Sequence, residues 1–256
     1  MSNDSLSSVK RALEVLRALG QGPMRVQAMA HAIGREKTQV SRTLKVLAEE
    51  GFAVRDPETM EYRLGWQFFA LAAAAEENPL RHEAPRVLRA LVQQLGESAH
   101  LTTLAGNAAV TVLSERPVRT LQVHERVGQT SPLNCTSCGR ALLLGVPDDE
   151  VVALFAAADA TGEPLPGSER APRTVPALLE RLHEERRAGY VVSVEEHEPG
   201  MTAVAAPVRD FRGAPVAAVN ISAPTMRLPP AAHPPVIEAV LSACKRLSET
   251  LGYANH

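Results

Sequence analysis

The stretch GREKTQVSRTLKVLAEEGF, Gly34 to Phe52, gathers basic and hydroxyl side chains onto one short helical pattern. Val40, Leu44 and Leu47 supply an apolar stripe at spacings of four and three residues, and Gly51 closes it. At about 100° per residue, Thr38, Arg42, Lys45 and Glu49 point away from that stripe, with Gln39 and Ser41 on its flanks. Alone, such a face is compatible with ordinary solvation. Its neighbours narrow the choice.

Upstream, Val9, Ala12, Leu13, Leu16 and Leu19 recur at helical spacing, so Ser5 to Leu19 reads as an amphipathic helix ended by Gly20. Val26, Met29, Ala30 and Ile33 give a second, shorter helix stopped by Gly34. A short helix, a glycine turn and a helix with a basic outer face make a helix-turn-helix. Downstream, Phe52 and Val54 alternate with Ala53 and Arg55, Asp56-Pro57-Glu58-Thr59 has turn chemistry, and Tyr62 and Leu64 alternate with Glu61 and Arg63. That pattern predicts a hairpin with its apolar residues on one face, which completes a winged helix-turn-helix. Base edges are read by Arg, Lys, Gln, Ser and Thr, and phosphates require cations. The expected DNA contacts are therefore Thr38, Arg42 and Lys45, supported by Arg25, Lys37, Gln39, Ser41 and Arg63.

Overall charge hides this face. Ten basic side chains against eight acidic ones before Trp66 leave +2 there and −4 in the rest of a chain of net charge −2. The 256 residues, 45% hydrophobic and 22% charged, suit a soluble protein of one large domain or two ordinary ones. The N-terminus lacks the pattern of a secretory signal, and the longest apolar run, Phe68 to Ala75, is far shorter than the roughly 20 residues that cross a bilayer. Three cysteines are too few for a disulfide framework. A cytoplasmic location is expected.

Ser8-Val9-Lys10-Arg11-Ala12-Leu13, the helix from Lys37 to Leu44, Tyr62-Arg63-Leu64-Gly65, Gly189-Tyr190, Glu195 to Gly200 and Ala205 to Asp210 together resemble the isocitrate lyase regulator (IclR) family of bacterial transcription factors. The match runs in order from about residue 7 to about residue 251. The resemblance implies an α+β chain with a winged helix-turn-helix at residues 1–65, a linker helix at 66–78 and a GAF-like effector domain at 79–256. It also implies homodimers, or tetramers built as dimers of dimers, on an approximately palindromic double-stranded operator. A repressor is expected rather than an activator, with no cofactor, no metal and no membrane partner.

Residue patterns support the division independently. Phe68 to Ala75 is apolar on every side, and a helix of that kind must be covered, by a partner's equivalent helix or by the chain's own C-terminal domain. Beyond a helix at Arg81 to Leu95, β-rich runs occur at 99–104, 109–114, 120–124, 190–194, 202–208 and 215–222. Helices fit at 137–144, 148–157, 175–188 and 235–251, which together predict a largely antiparallel sheet. Residues 158–173, rich in Gly and Pro, read as a long loop of the kind that forms lids or stays mobile.

Cys135-Thr136-Ser137-Cys138 has the spacing of a zinc half-site or a redox pair, but only His124 or His197 offers to complete it. A metal- or thiol-responsive regulator is thus one alternative. The other reading places small residues at a helix start capped by Thr136, where free N–H groups of Ser137 and Cys138 suit a polar ligand. The resemblance puts the effector there, with Thr120, Val123, Ser137, Cys138, Ser193, Met201, Ala203, Asn220 and Ser222 as matching positions. Asn134, Cys135, Cys138, Arg140 and Ser193 depart from the residues commonest in the family. With no Lys or Arg among those positions, a monocarboxylate or a neutral polar-aromatic metabolite is expected rather than a dianion. Glu195-Glu196-His197-Glu198 reads as a solvated or structural loop. No Gly-x-Ser-x-Gly elbow, phosphate loop or His-Glu-x-x-His is present, so a hydrolase is the weakest alternative and no catalytic residues are assigned.

Overall fold

A computed structural model describes residues 2–74, 79–117 and 127–254, and the chain divides into two units, Met1–Glu77 and Asn78–His256. In the first unit α2 (Val26–Ala32) and α3 (Lys37–Glu49) turn their stripes inward, whereas α1 (Ser2–Leu19) buries Val15 and Leu19 and leaves Val9 and Leu13 of its expected stripe exposed. Val15, Leu19, Met29, Val40 and Leu44 are buried there, closed over by Ala53 and Tyr62. The turn between α2 and α3 passes through Gly34 at φ +62°, a conformation that a side chain would oppose.

Two short strands, β1 (Ala53–Arg55) and β2 (Tyr62–Leu64), pair antiparallel, with Ala53 opposite Leu64 and Arg55 opposite Tyr62. Asp56 Oδ1 accepts the backbone N–H groups of Glu58 and Thr59, both at 2.9 Å, which fixes the turn. Tyr62 also exchanges backbone hydrogen bonds with Met24. The apolar residues do not share a face, contrary to the expectation from alternation. Ala53, Arg55, Tyr62 and Leu64 lie on one side and Val54 and Arg63 on the other, while Val54 and Leu64 stay exposed. The two alternations are offset by one residue across the turn, and pairing can serve only one phase.

After the hairpin comes α4 (Gln67–Ala74), where Phe68 meets Phe52 edge to face at 5.4 Å. Within the single chain Trp66 is 64% and Phe69 80% exposed, and Leu71 is exposed as well. Residues 75–78 of the expected linker lie outside the described residues.

The second unit begins with α5 (Pro79–Leu95), then the strands β3 (Ser98–Ala105), β4 (Ala108–Glu115) and β5 (Thr130–Ser131). Four helices follow, α6 (Ser137–Leu143), α7 (Asp148–Leu154), α8 (Ala156–Thr161) and α9 (Val175–Ala188). The chain returns through β6 (Val191–Val194), β7 (Met201–Arg209) and β8 (Pro215–Pro224) to α10 (His233–Thr250). The sheet has the order β5-β4-β3-β8-β7-β6, and every pairing described is antiparallel. Period-two alternation divides its faces. Ala99, Leu101, Val204, Val219 and Ile221 pack on α5 and α10, while Ala205, Ala218 and Val191 meet α6 and α9.

Two segments differ from the sequence reading, and one expected strand is untested. The strand expected at Thr120 to His124 lies outside the described residues. An alanine-rich helix, α8, occupies the start of the expected long loop. The rest of that loop is pinned: Leu165 N–H bonds Arg173 O at 2.9 Å and Ser168 N–H bonds Glu196 O at 2.7 Å. No described helix is long and apolar enough to cross a membrane.

Candidate functional site

The outer face of α3 carries Lys37, Thr38, Gln39, Ser41, Arg42 and Lys45, all exposed, and Arg25 and Arg63 are exposed beside it. Their commitments differ. Arg42 makes no hydrogen bond or ion pair among the described residues. Lys45 holds only a loose contact to Glu49 at 3.8 Å, both side chains exposed, which contributes little. Arg25 Nε donates to Thr59 O at 3.0 Å and so ties the start of α2 to the wing turn. Gln39 accepts a hydrogen bond from Arg11 at 3.3 Å, and Arg11 also donates to Thr43 at 3.0 Å. Arg11, which sequence reasoning did not place, therefore anchors α1 on α3. No side chain caps α3, so its first N–H groups remain available to a phosphate beside Lys37.

In the second unit one face of the sheet and the start of α6 border a half-open cavity of about 480 Å³. Strand register explains its lining. His100 stands opposite Asn220, Asn220 opposite Ala205, Ser222 opposite Ala203, and Ala203 opposite Ser193, so these side chains share one face. Ser137, Cys138, Ser193, Met201, Ala203, Asn220 and Ser222, all named from the sequence, line it together. Thr120 and Val123 lie outside the described residues.

Sequence reasoning missed His100, Thr111, Gln129, Ser131, His197 and Glu198, which also face the cavity. His100 is 4% exposed and bridges Ser114, 2.9 Å from Nδ1, and Ser222, 3.2 Å from Nε2. No Lys or Arg occurs among the described lining residues.

Thr136 caps α6 as anticipated: its Oγ1 accepts the Gly139 N–H at 3.1 Å and donates to Pro132 O at 2.6 Å. A Cβ on Gly139 would fall 2.6 Å from Leu133 Cα, so glycine alone lets this turn pack so closely. The helix has only seven residues, so ligand recognition here rests on side chains more than on its dipole.

Behind α6, Arg140 is fully buried and uses all five of its donors. Nε donates to both Glu185 oxygens at 2.9 and 3.0 Å, and one terminal nitrogen to Asn134 O at 2.9 Å and to the Glu196 carboxylate. The other terminal nitrogen reaches Val192 O and Glu196 Oε1, each at 3.2 Å, and Arg181 supports Glu196 from outside at 3.2 Å. Burial pushes the Glu185 carboxyl up to about 7 against the pull of Arg140. Of the two readings left open for the Glu195–Glu198 segment, Glu196 has the structural one. Asn134 donates to Pro166 O at 2.7 Å and Pro172 O at 3.0 Å, clamping the neighbouring loop.

Cys135 and Cys138 are both buried and unbonded to each other. Cys135 Sγ lies 3.7 Å from His197 Nδ1, and burial pushes its thiol up to about 11. A thiol held protonated at neutral pH is a poor metal ligand and a slow nucleophile. Among the described residues no group of three His, Cys, Asp or Glu is placed to hold a metal.

Residues 8–57 match the IclR helix-turn-helix domain, and residues 72–249 match the family described as bacterial transcriptional regulator IclR C-terminal. The chain is 28% identical over 255 residues to the HTH-type transcriptional regulator KdgR of Escherichia coli K12, covering 99% of this chain and 95% of that one. It is 29% identical over 216 residues to the HTH-type transcriptional repressor AllR of Klebsiella pneumoniae, covering 82% of this chain and 76% of that one. An IclR homolog from Microbacterium hydrocarbonoxydans, solved with 4-hydroxybenzoate, shares the fold with a TM-score of 0.81 at 21% identity, covering 95% of this chain and 98% of that one.

Proposed function

Since this chain belongs to the IclR family of bacterial transcriptional regulators, we propose that it is a cytoplasmic repressor whose hold on its operator is set by a small molecule in the cavity beside α6. The family makes it a DNA-binding regulator with an effector-binding C-terminal domain, not an enzyme. The repressor sign is that of the relative AllR, by its name. The observation that carries the effector reading is the cavity beside α6, lined by seven of the nine positions that the family resemblance implies. Arg42, Lys45 and Thr38 read or grip the duplex, with Arg25, Lys37, Gln39, Ser41 and Arg63 supporting them. The effector bears at most one negative charge, because the described lining offers no Lys or Arg to balance two.

Ligand changes DNA affinity only by binding the free and DNA-bound arrangements differently, and a tenfold effect needs about 1.4 kcal/mol. Ser137→Phe or Ser222→Phe fills the cavity and should leave operator affinity within about twofold of wild type while abolishing the response to effector. An operator titration with and without effector checks this. Effector response retained in both variants, with wild-type ligand affinity, would place the site elsewhere.

Exposed Trp66, Phe69 and Leu71 support a dimer formed through the linker helix, because clustered large apolar side chains on a surface mark an interface. Two copies of α3 then face an operator of approximate two-fold symmetry. Sedimentation at micromolar concentration should give a dimer or larger for wild type and a shift toward monomer for Phe69→Asp. A wild-type monomer, with or without DNA, would refute the arrangement.

A further inference from the structure

We infer that Arg11 is a positioning residue that makes Gln39 a donor-only reader, so that the operator carries a guanine or thymine where Gln39 meets a base. The inference rests on the reading of α3 as the DNA face. Its basis is a closed set of hydrogen bonds between α1 and α3. Thr43 Oγ1 donates its one proton to the Gln39 backbone carbonyl, one helical turn earlier, at 3.0 Å. Its lone pairs are then all it has left to offer, and Arg11 Nε donates to them at 3.0 Å. That bond orients the half-buried guanidinium, whose Nη1 donates to Gln39 Oε1 at 3.3 Å.

A glutamine amide can ordinarily be turned either way, and its neighbours decide which. Arginine has no acceptor, so the atom it meets must be the amide oxygen. Oε1 is thereby drawn back toward α1. The Gln39 amide nitrogen makes no hydrogen bond among the described residues, and the side chain is exposed on the flank of α3. Two N–H donors are what Gln39 has left for a base.

This changes what the residue reads. A free glutamine pairs with adenine by accepting from N6 and donating to N7. Here an adenine amino group would have to share Oε1 with a guanidinium N–H, donor beside donor. Guanine presents O6 and N7, both acceptors, and thymine presents O4. Either suits the amide N–H groups and the positive charge behind them.

Binding-site selection from a randomised duplex library by the full-length protein, followed by titration of the selected duplexes at fixed salt, tests this. Gln39→Ala, an exposed change that leaves the core untouched, identifies the base position that Gln39 reads. At that position wild type should favour guanine or thymine over adenine by about tenfold. Arg11→Met frees the amide and should move the preference there toward adenine by about tenfold, leaving other positions unchanged. In a Gln39→Ala background the same substitution should leave base preference unaltered, which a purely structural anchor would not predict. Thermal unfolding is measured alongside, and Arg11→Lys, which lacks the fork that spans Thr43 and Gln39, replaces Arg11→Met if the latter is unfolded. Adenine preferred by wild type at that position, or a Gln39→Ala profile identical to wild type, overturns the inference. So does an Arg11 variant that weakens every duplex equally, which would make Arg11 a phosphate contact or a structural anchor. A wild-type protein that selects no sequence from the library overturns the DNA-reading assignment of α3 as well.

Discussion

Replacing Arg140 with methionine is expected to destabilise the C-terminal unit by about 3–5 kcal/mol, the scale for removing one partner of a buried ion pair. Arg140 is fully buried and satisfies Glu185, Glu196 and the carbonyls of Asn134 and Val192 at once. Methionine fills similar volume but leaves two carboxylates without their central cation. Arg181 keeps its ion pair with Glu196 and only a weaker through-space pull on Glu185, so Glu185 is the carboxylate that loses its direct partner. Arg140→Lys keeps the charge and loses the planar fork, so it should fall between the two. Adding Glu185→Gln to Arg140→Met should recover part of the loss, because a neutral amide costs less to bury than an unpaired charge.

The pH dependence has a definite sign. Burial already holds Glu185 at about 7 with Arg140 present, and losing Arg140 raises it further. A carboxyl whose folded pKa exceeds its unfolded one contributes stability at low pH and loses it as pH rises through the folded value. The deficit of Arg140→Met relative to wild type should therefore deepen as pH rises above about 7. Urea denaturation on both sides of neutrality measures it. A deficit under about 1 kcal/mol, unchanged with pH, would show that the cluster does not hold the unit together.

What the sequence made legible and what it hid follow from the range of the interactions. Helices α2 and α3 are set by stripes three and four residues apart, a local signal, whereas in α1 the same signal gave the helix but misplaced its face, since Val15 is buried and Val9 and Leu13 are exposed. The hairpin was legible in existence but not in facing, because the phase of Val54 and Leu64 is decided by pairing and by the core under Ala53 and Tyr62. The cavity positions on β6, β7 and β8 came from the family resemblance, and the register of those strands puts Ser193, Ala203 and Ser222 on one face. His100 and Thr111 come from β3 and β4, whose pairing slips between Leu101 and Thr102, so alternation does not reveal which residues share the face. Arg140 reaches partners 45 and 56 residues away. From sequence alone, Glu196 in its acidic run looks identical to a solvated glutamate.

The second large effect is on DNA. Arg42→Ala alone should cost about 1–3 kcal/mol if the guanidinium reads a base, and Arg42 has no partner among the described residues to hold it back. Lys45→Ala should remove one phosphate contact per copy of α3, weakening binding across sequences and flattening its salt dependence. Neither side chain touches the core formed by Val40, Leu44 and Leu47, so the fold should survive both changes. The central claim is that the outer face of α3 grips the operator, and one titration tests it. Wild type and the Arg42→Ala, Lys45→Ala double variant are titrated onto the duplex flanking the protein's own gene, at fixed salt, with thermal unfolding of each measured alongside. The expected result is an affinity lower by about 100-fold or more in the double variant with unfolding unchanged. Equal affinity of the two proteins for that duplex would contradict the account.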